Sequence, residues 1–167
     1  MNTEAVTGRV VVGVDGSASS VMALREAQHM AKATGARLDV VSCWNIPATA
    51  APPVESIAEG IKEAAWQRLQ EEVVLALGSP APDNVSTRLL QGQPRQELIE
   101  LSKGSDLLVV GRRGFGGFAG LLMGSVSRAC VAHAHCPVMV VNAGERDERS
   151  RDVASPAGKA HDGAAHP

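Results

Sequence analysis

The 167-residue chain has no tyrosine and only two tryptophans and two phenylalanines. It therefore lacks the interleaved aromatic platform on which single-stranded nucleic acid stacks. It has no excess of positive charge either, since 16 Lys and Arg against 18 Asp and Glu leave a formal net charge of -2. Without a basic field, nucleic acid is not an expected partner. No uncharged apolar run approaches the roughly 18 residues that a bilayer-spanning helix needs. The opening MNTEAVTGRV has no charged segment followed by an apolar core, so no secretory leader is expected and a cytoplasmic location is. Cysteine is scarce. Cys43, Cys130 and Cys136 are an odd number without the paired spacing of a disulfide framework, and are read as free thiols. Cys130, His133, His135 and Cys136 lie close in sequence, but no CxxC pair exists and His135 falls off the helical face that Cys130 and His133 could share. That group is read as a helix C-terminus whose histidines meet the dipole, and no metal site is expected. Finally, the chain has no G-x4-G-K-S/T, hence no lysine of the kind that braces β/γ-phosphates.

What is present is an apolar content of 44%, enough for one domain with a substantial core. Arg9 to Val14 is a β-branched run of strand length ending in Asp15-Gly16-Ser17, a turn that leads into a helix over Ser19 to Thr34. Ala23, Leu24, Ala27, Met30 and Ala31 share one face of that helix, and Gly35 stops it. Arg37 to Cys43 is a second strand. The Pro/Ala-rich stretch Asn45 to Pro53 then precedes a helix in which Ile57, Ile61, Ala65, Leu69, Val73 and Leu77 recur every four residues. Val85 to Leu90 is a third strand, and Pro94 opens a short helix ending near Gly104. Asp106 to Val110 is the fourth strand, and Val138 to Val141, after Pro137, the fifth.

Strands alternating with helices, each strand nearly continuously apolar, call for a parallel sheet covered on both faces. The expected fold is α/β, a single doubly wound five-stranded sheet of order 3-2-1-4-5. In such sheets a ligand sits beyond the carboxyl ends of the strands where the winding reverses. Asp15, Cys43 and Gly111 end three strands that would converge there. From Gly144 the residues are charged, small or helix-breaking, with Val153 the one aliphatic side chain larger than alanine. Residues 8–142 are accordingly expected to form the domain and 143–167 a disordered tail.

The densest chemistry lies in LLVVGRRGFGGFAGLLMGSV, Leu107 to Val126, a strand emptying into a glycine-rich loop. Two residues separate Gly111 from Gly114, and nine separate Gly114 from the pair Gly124 and Ser125. Such a loop can wrap closely around a phosphate and present its amides. A helix expected right after it would aim its first free amides and the Ser125 hydroxyl at the same place. A merely flexible surface loop is the alternative. Gly114-Phe115-Gly116 followed by Ala119 imitates a dinucleotide fingerprint, but it follows the fourth strand instead of the first and lacks the subsequent acid.

VVVGVDGS at Val10 to Ser17 and VVGRRGFGGFAGLLMGSVSRACVAHAHCPVMVV at Val109 to Val141 resemble the universal stress protein family. Its nucleotide-binding form carries G-x2-G-x9-G-S/T, which Gly111, Gly114, Gly124 and Ser125 satisfy. The resemblance covers about residues 8–142. It implies that Asp15 contacts the ribose and adenine region and that Cys43 offers backbone groups to adenine. It also implies that Gly111, Gly114, Gly124, Ser125 and Val126 hold ribose and phosphates, with Val14, Val110 and Arg113 completing the site. The alternative readings are a turn or N-cap aspartate for Asp15, a plain strand-end residue for Cys43, and solvated loop cations for Arg112 and Arg113. The resemblance further implies ATP with Mg as ligand, AMP or cyclic AMP being alternatives, and a homodimer through strand 138–141. The expected function is a stress-response protein that senses or buffers adenine nucleotides and acts through conformation or an unknown protein partner. A slow ATPase or nucleotidyl-transfer enzyme on the same site is the alternative, and a dimerisation module that binds no nucleotide is a third.

Overall fold

The β-branched run of β1 (Arg9–Gly13) is apolar on both faces because it becomes the middle of the sheet. The computed structural model describes residues 8–46, 55–114 and 122–143. Chain order is β1, α1 (Ala18–Thr34), β2 (Arg37–Trp44), α2 (Glu55–Leu77), β3 (Val85–Gln91), α3 (Pro94–Ser102), β4 (Leu107–Gly111), α4 (Ser125–His133) and β5 (Val138–Val141). The five strands form one parallel sheet in the order β3-β2-β1-β4-β5, as expected. Val10 and Val12 point to one face, where Ala23, Leu24, Ala27 and Ala31 of α1 and Leu69 and Val73 of α2 cover them. Val11 points to the other face, against Leu98 of α3 and Cys130 of α4. Period-2 alternation thus divides each strand between two apolar layers. Of the expected tail, 143–167, all but residue 143 lies outside the described residues, as does the middle of the glycine loop, 115–121. No described helix is long and apolar enough to cross a membrane.

Local chemistry fixes the helix ends. The Ser17 hydroxyl accepts from the Ser20 amide at 3.2 Å and caps α1. At the other end Gly35 takes the left-handed conformation, φ 66, that closes the helix. Pro94 occupies the first turn of α3, where its missing N–H costs nothing.

The four-residue row on α2 behaves differently from its expected role. Leu69 and Val73 are buried, but Ile57 is 52% exposed. Four residues advance about 400°, so such a row slips about 40° per step and leaves the core face within a few steps. At the amino ends of the strands, Arg9 and Asp39 form a 2.7 Å ion pair, and the Ser86 hydroxyl donates to Asp39 at 2.8 Å. Burial works to raise the Asp39 pKa, but the Ser86 hydroxyl and the Arg9 guanidinium outweigh it and hold the carboxyl below its ordinary value.

Candidate functional site

The carboxyl ends of β1, β2 and β4 open onto a cavity of about 460 Å³, within the range of small-molecule sites. All ten residues singled out from the sequence line it: Val14, Asp15, Cys43, Val110, Gly111, Arg113, Gly114, Gly124, Ser125 and Val126.

The first wall is the turn between β1 and α1. Asp15 Oδ1 accepts from the Ser17 amide at 3.0 Å, so the aspartate organises the turn while Ser17 caps the helix. Gly16 has φ 85, a left-handed conformation that suits glycine. Beneath it Glu72 of α2 is buried; its Oε2 accepts from the Gly16 amide at 2.8 Å and its Oε1 from the Ser20 hydroxyl. Ser20 Oγ in turn accepts from the Asp15 amide at 3.3 Å. Burial pushes the Glu72 carboxyl above its ordinary pKa, and the negative charge of Asp15 adds to this, against the opposing pull of the two donors.

The second wall begins where β4 ends. A Cβ on Gly111 would lie 2.5 Å from Ser19 Oγ and 2.8 Å from the Ser19 carbonyl carbon, so only glycine lets the strand end approach α1. A Cβ on Gly114 would collide with the Asp15 carboxylate, which brings the loop and the acid together. The described ends of the glycine loop are clipped. Arg112 donates its amide to the Val141 carbonyl at 2.7 Å and its Nε to the Leu122 carbonyl at 2.6 Å, while the Gly124 amide donates to the Arg112 carbonyl at 2.8 Å. Arg112 therefore braces the loop, and Arg113 is the one that lines the cavity.

The third wall is the start of α4. Gly124 is its N-cap and supplies no side chain to close it, so the amides of the first turn have no intrahelical acceptor, and Ser125 to Arg128 line the cavity. The Ser127 hydroxyl is committed to the Gly111 carbonyl at 2.5 Å, whereas Ser125 is exposed at the rim.

The floor is apolar: Val41, Val110 and Leu98, with Cys43 and Pro94 at its edge. Burial, helped by the charge of Glu97, pushes the Cys43 thiol up to about 11. It stays protonated near neutrality and is no nucleophile there. Leu98, Pro94, Ser20 and Arg128 line the cavity without having been singled out from the sequence. A signal for Leu98 did exist. It lies one helical turn after Pro94 on a helix that must cover the sheet, and Gly13 makes room for it, since a Cβ there would lie 2.6 Å from Leu98 Cδ1. Among the described residues no group of three His, Cys, Asp or Glu side chains is arranged to hold a metal ion.

A parallel sheet wound in both directions from β1, with its cavity at the crevice between β1 and β4, defines a doubly wound α/β protein with its site at the topological switch point. The family model of universal stress proteins matches residues 7–142, and the chain belongs to the universal stress protein family. It is 31% identical over 144 residues to a universal stress protein of Methanocaldococcus jannaschii, covering 84% of this chain and 85% of that one. The universal stress protein UspA from Lactobacillus plantarum shares the fold, with a TM-score of 0.66, 23% identity, and coverage of 83% of this chain and 99% of the other. A universal stress protein solved in complex with cyclic AMP is 30% identical with a TM-score of 0.54, over 84% of this chain and 100% of its own.

Proposed function

We propose that the chain binds ATP in this cavity and works as a stress-response protein that senses or buffers adenine nucleotides, acting through conformation or a protein partner. The observation that carries the reading is the convergence of three unlike elements on one cavity. These are the Asp15 turn, the Gly111 to Gly114 loop end and the open N-terminus of α4. Each suits a different part of a nucleotide. An acid accepts from ribose hydroxyls, as in other doubly wound folds. Free first-turn amides and the helix dipole favour phosphate, and the floor of Val41, Leu98 and Val110 suits a base. In this reading Cys43 and Val14 offer backbone groups to adenine, Arg113 and Ser125 reach phosphates, and Gly111, Gly114, Gly124 and Val126 shape the cradle. A 30% identical universal stress protein solved in complex with cyclic AMP supports an adenine nucleotide as the class of ligand. Mg would arrive with the phosphates of ATP, and Asp15 is the one carboxylate among the described lining residues that could contribute to holding it.

Binding of this kind stabilises ground state and transition state alike, so it gives little acceleration. The described lining holds no histidine, and Ser127 is occupied by the Gly111 carbonyl. Calorimetry is therefore expected to show one Mg-ATP bound per chain, with phosphate release far below the enzyme median of about 10 per second. No binding heat, and no nucleotide carried through purification, would remove the reading. Enzyme-like turnover lost in Ser125→Ala with affinity retained would favour an ATPase instead.

The same reading includes a homodimer through β5. This strand is an edge of the sheet and all four of its residues are half-buried, although Met139 and Val141 pack on one apolar layer and Val138 and Val140 on the other. An apolar edge left open is a template for pairing with another chain. Sedimentation is expected to give a dimer at micromolar concentration, and Val140→Lys to weaken it by about tenfold or more, a lysine on an edge strand being a deterrent to pairing. A monomer, or a dimer indifferent to Val140→Lys, would count against this interface.

A further inference from the structure

We propose that Glu72 is a positioning residue for the cavity: reaching from α2, its carboxylate anchors the Asp15 to Ser17 turn in the conformation that nucleotide binding uses. The inference rests on reading the cavity as an adenine-nucleotide site. Its footing is the hydrogen-bond geometry. Glu72 is 5% exposed and touches the turn twice over, directly through the Gly16 amide at 2.8 Å and indirectly through Ser20, whose hydroxyl donates to Glu72 and accepts from the Asp15 amide. One side chain thus fixes two consecutive amides of the segment that carries Asp15.

A merely structural role does not account for a carboxylate here. The neighbouring buried positions on α2, Leu69 and Val73, are aliphatic and belong to the core. Among the described residues the ion pairs are Arg9 with Asp39 and Lys103 with Glu100, so no cation compensates the burial of Glu72. Facing it are Asp15 from the turn and Ser20 from α1, while the stem of Arg68, on its own helix, packs against Gly16. A buried carboxylate without a counter-ion costs stability, and an aliphatic side chain of similar volume is commonly neutral or stabilising in such a place. What an aliphatic side chain cannot supply is an acceptor for the Gly16 amide. Without that acceptor the left-handed turn at Gly16 loses its anchor, and Asp15 loses its fixed position opposite Gly114.

The test compares Glu72→Leu, Glu72→Gln and Leu69→Ala in the full chain, by Mg-ATP calorimetry, thermal unfolding, and hydrogen exchange at the Gly16 amide without nucleotide. Glu72→Leu is expected to lose about tenfold or more in affinity and to expose the Gly16 amide to exchange, with its unfolding midpoint kept. Glu72→Gln retains an acceptor for Gly16 and is expected to bind within about threefold of wild type. Leu69→Ala, one turn away in the core, should lower the midpoint and leave affinity unchanged. Should Glu72→Leu fail to fold, Glu72→Asp makes the same test, keeping the charge but falling short of the turn. Wild-type affinity in the folded Leu or Asp variant overturns the proposal, as does equal loss in Leu69→Ala. If wild type itself binds no ATP, the reading of the cavity fails, and unchanged Gly16 exchange in Glu72→Leu then overturns the anchor separately.

Discussion

Gly114→Val is expected to weaken ATP binding by about two orders of magnitude in a protein that still folds. The Cβ added at this position meets the Asp15 carboxylate and little else. Gly114 is itself exposed at the cavity rim, so no core packing depends on it. Accommodating the valine requires Asp15 to swing away or the loop to lift, and either movement separates the acid from the glycine loop across the cavity. An affinity loss of about a hundredfold, equivalent to about 2.8 kcal/mol, is the expected size. Gly124→Val should act on the same site by another route. Its Cβ would meet Arg113 Cα at 3.5 Å and the Gly114 amide nitrogen at 3.6 Å, both ordinary contacts that the free protein tolerates. The branched side chain would nevertheless stand at the N-cap of α4, beside the first-turn amides that the reading assigns to phosphate. Calorimetry with Mg-ATP, alongside unfolding midpoints within a few degrees of wild type, checks both variants. Wild-type affinity in the two of them removes the phosphate-loop assignment.

The sequence made the existence and kind of every described strand and helix legible, because apolar periodicity and Gly, Pro and Ser punctuation are local. For β5 even the bounds were legible, since Pro137 marks its start. The ends of the other strands depend on their neighbours. β2 continues to Trp44 and β3 to Gln91 because these two residues pair with each other. Register is not a local property, so these ends were misjudged by a residue. The same limit governs the site. Asp15 and the glycines were visible because their residue types and spacing already carry the chemistry. Glu72 was not, since in the pair Glu71-Glu72 it looks like another solvent-facing acid. The phase of α2 against α1 decides that it turns inward. Arg112 and Arg113 are alike in sequence, and the clip from Arg112 to the Leu122 carbonyl separates their roles.

Gly111→Val is expected to fail at folding, not at binding, although Gly111 belongs to the same glycine motif as Gly114 and Gly124. The Cβ would come within 2.8 and 2.9 Å of the carbonyl carbon and oxygen of Ser19 as well as 2.5 Å from its hydroxyl. Backbone cannot rotate out of the way as a side chain does, and here it is held from both sides. Gly111 is paired with Val141 in the sheet, and its carbonyl accepts from Ser127. Ser19 lies in the first turn of α1, which the Ser17 cap fixes and the bond from Ser20 to Glu72 ties to α2. Relief therefore requires α1 to move off β4, which disturbs the layer where Leu24 and Val109 are fully buried. Overpacking alone costs about 1–3 kcal/mol. Displacing a central helix adds to that, against a total stability of about 5–15 kcal/mol for a domain. An unfolding midpoint lowered by about 10 °C or more is expected, measured by circular dichroism without nucleotide, and Gly111→Ala should show a smaller loss in the same direction. If Gly111→Val instead unfolds at the wild-type temperature and fails only to bind ATP, the contact with Ser19 is not what requires a glycine there. Gly111 would then join Gly114 and Gly124 as a ligand-facing position.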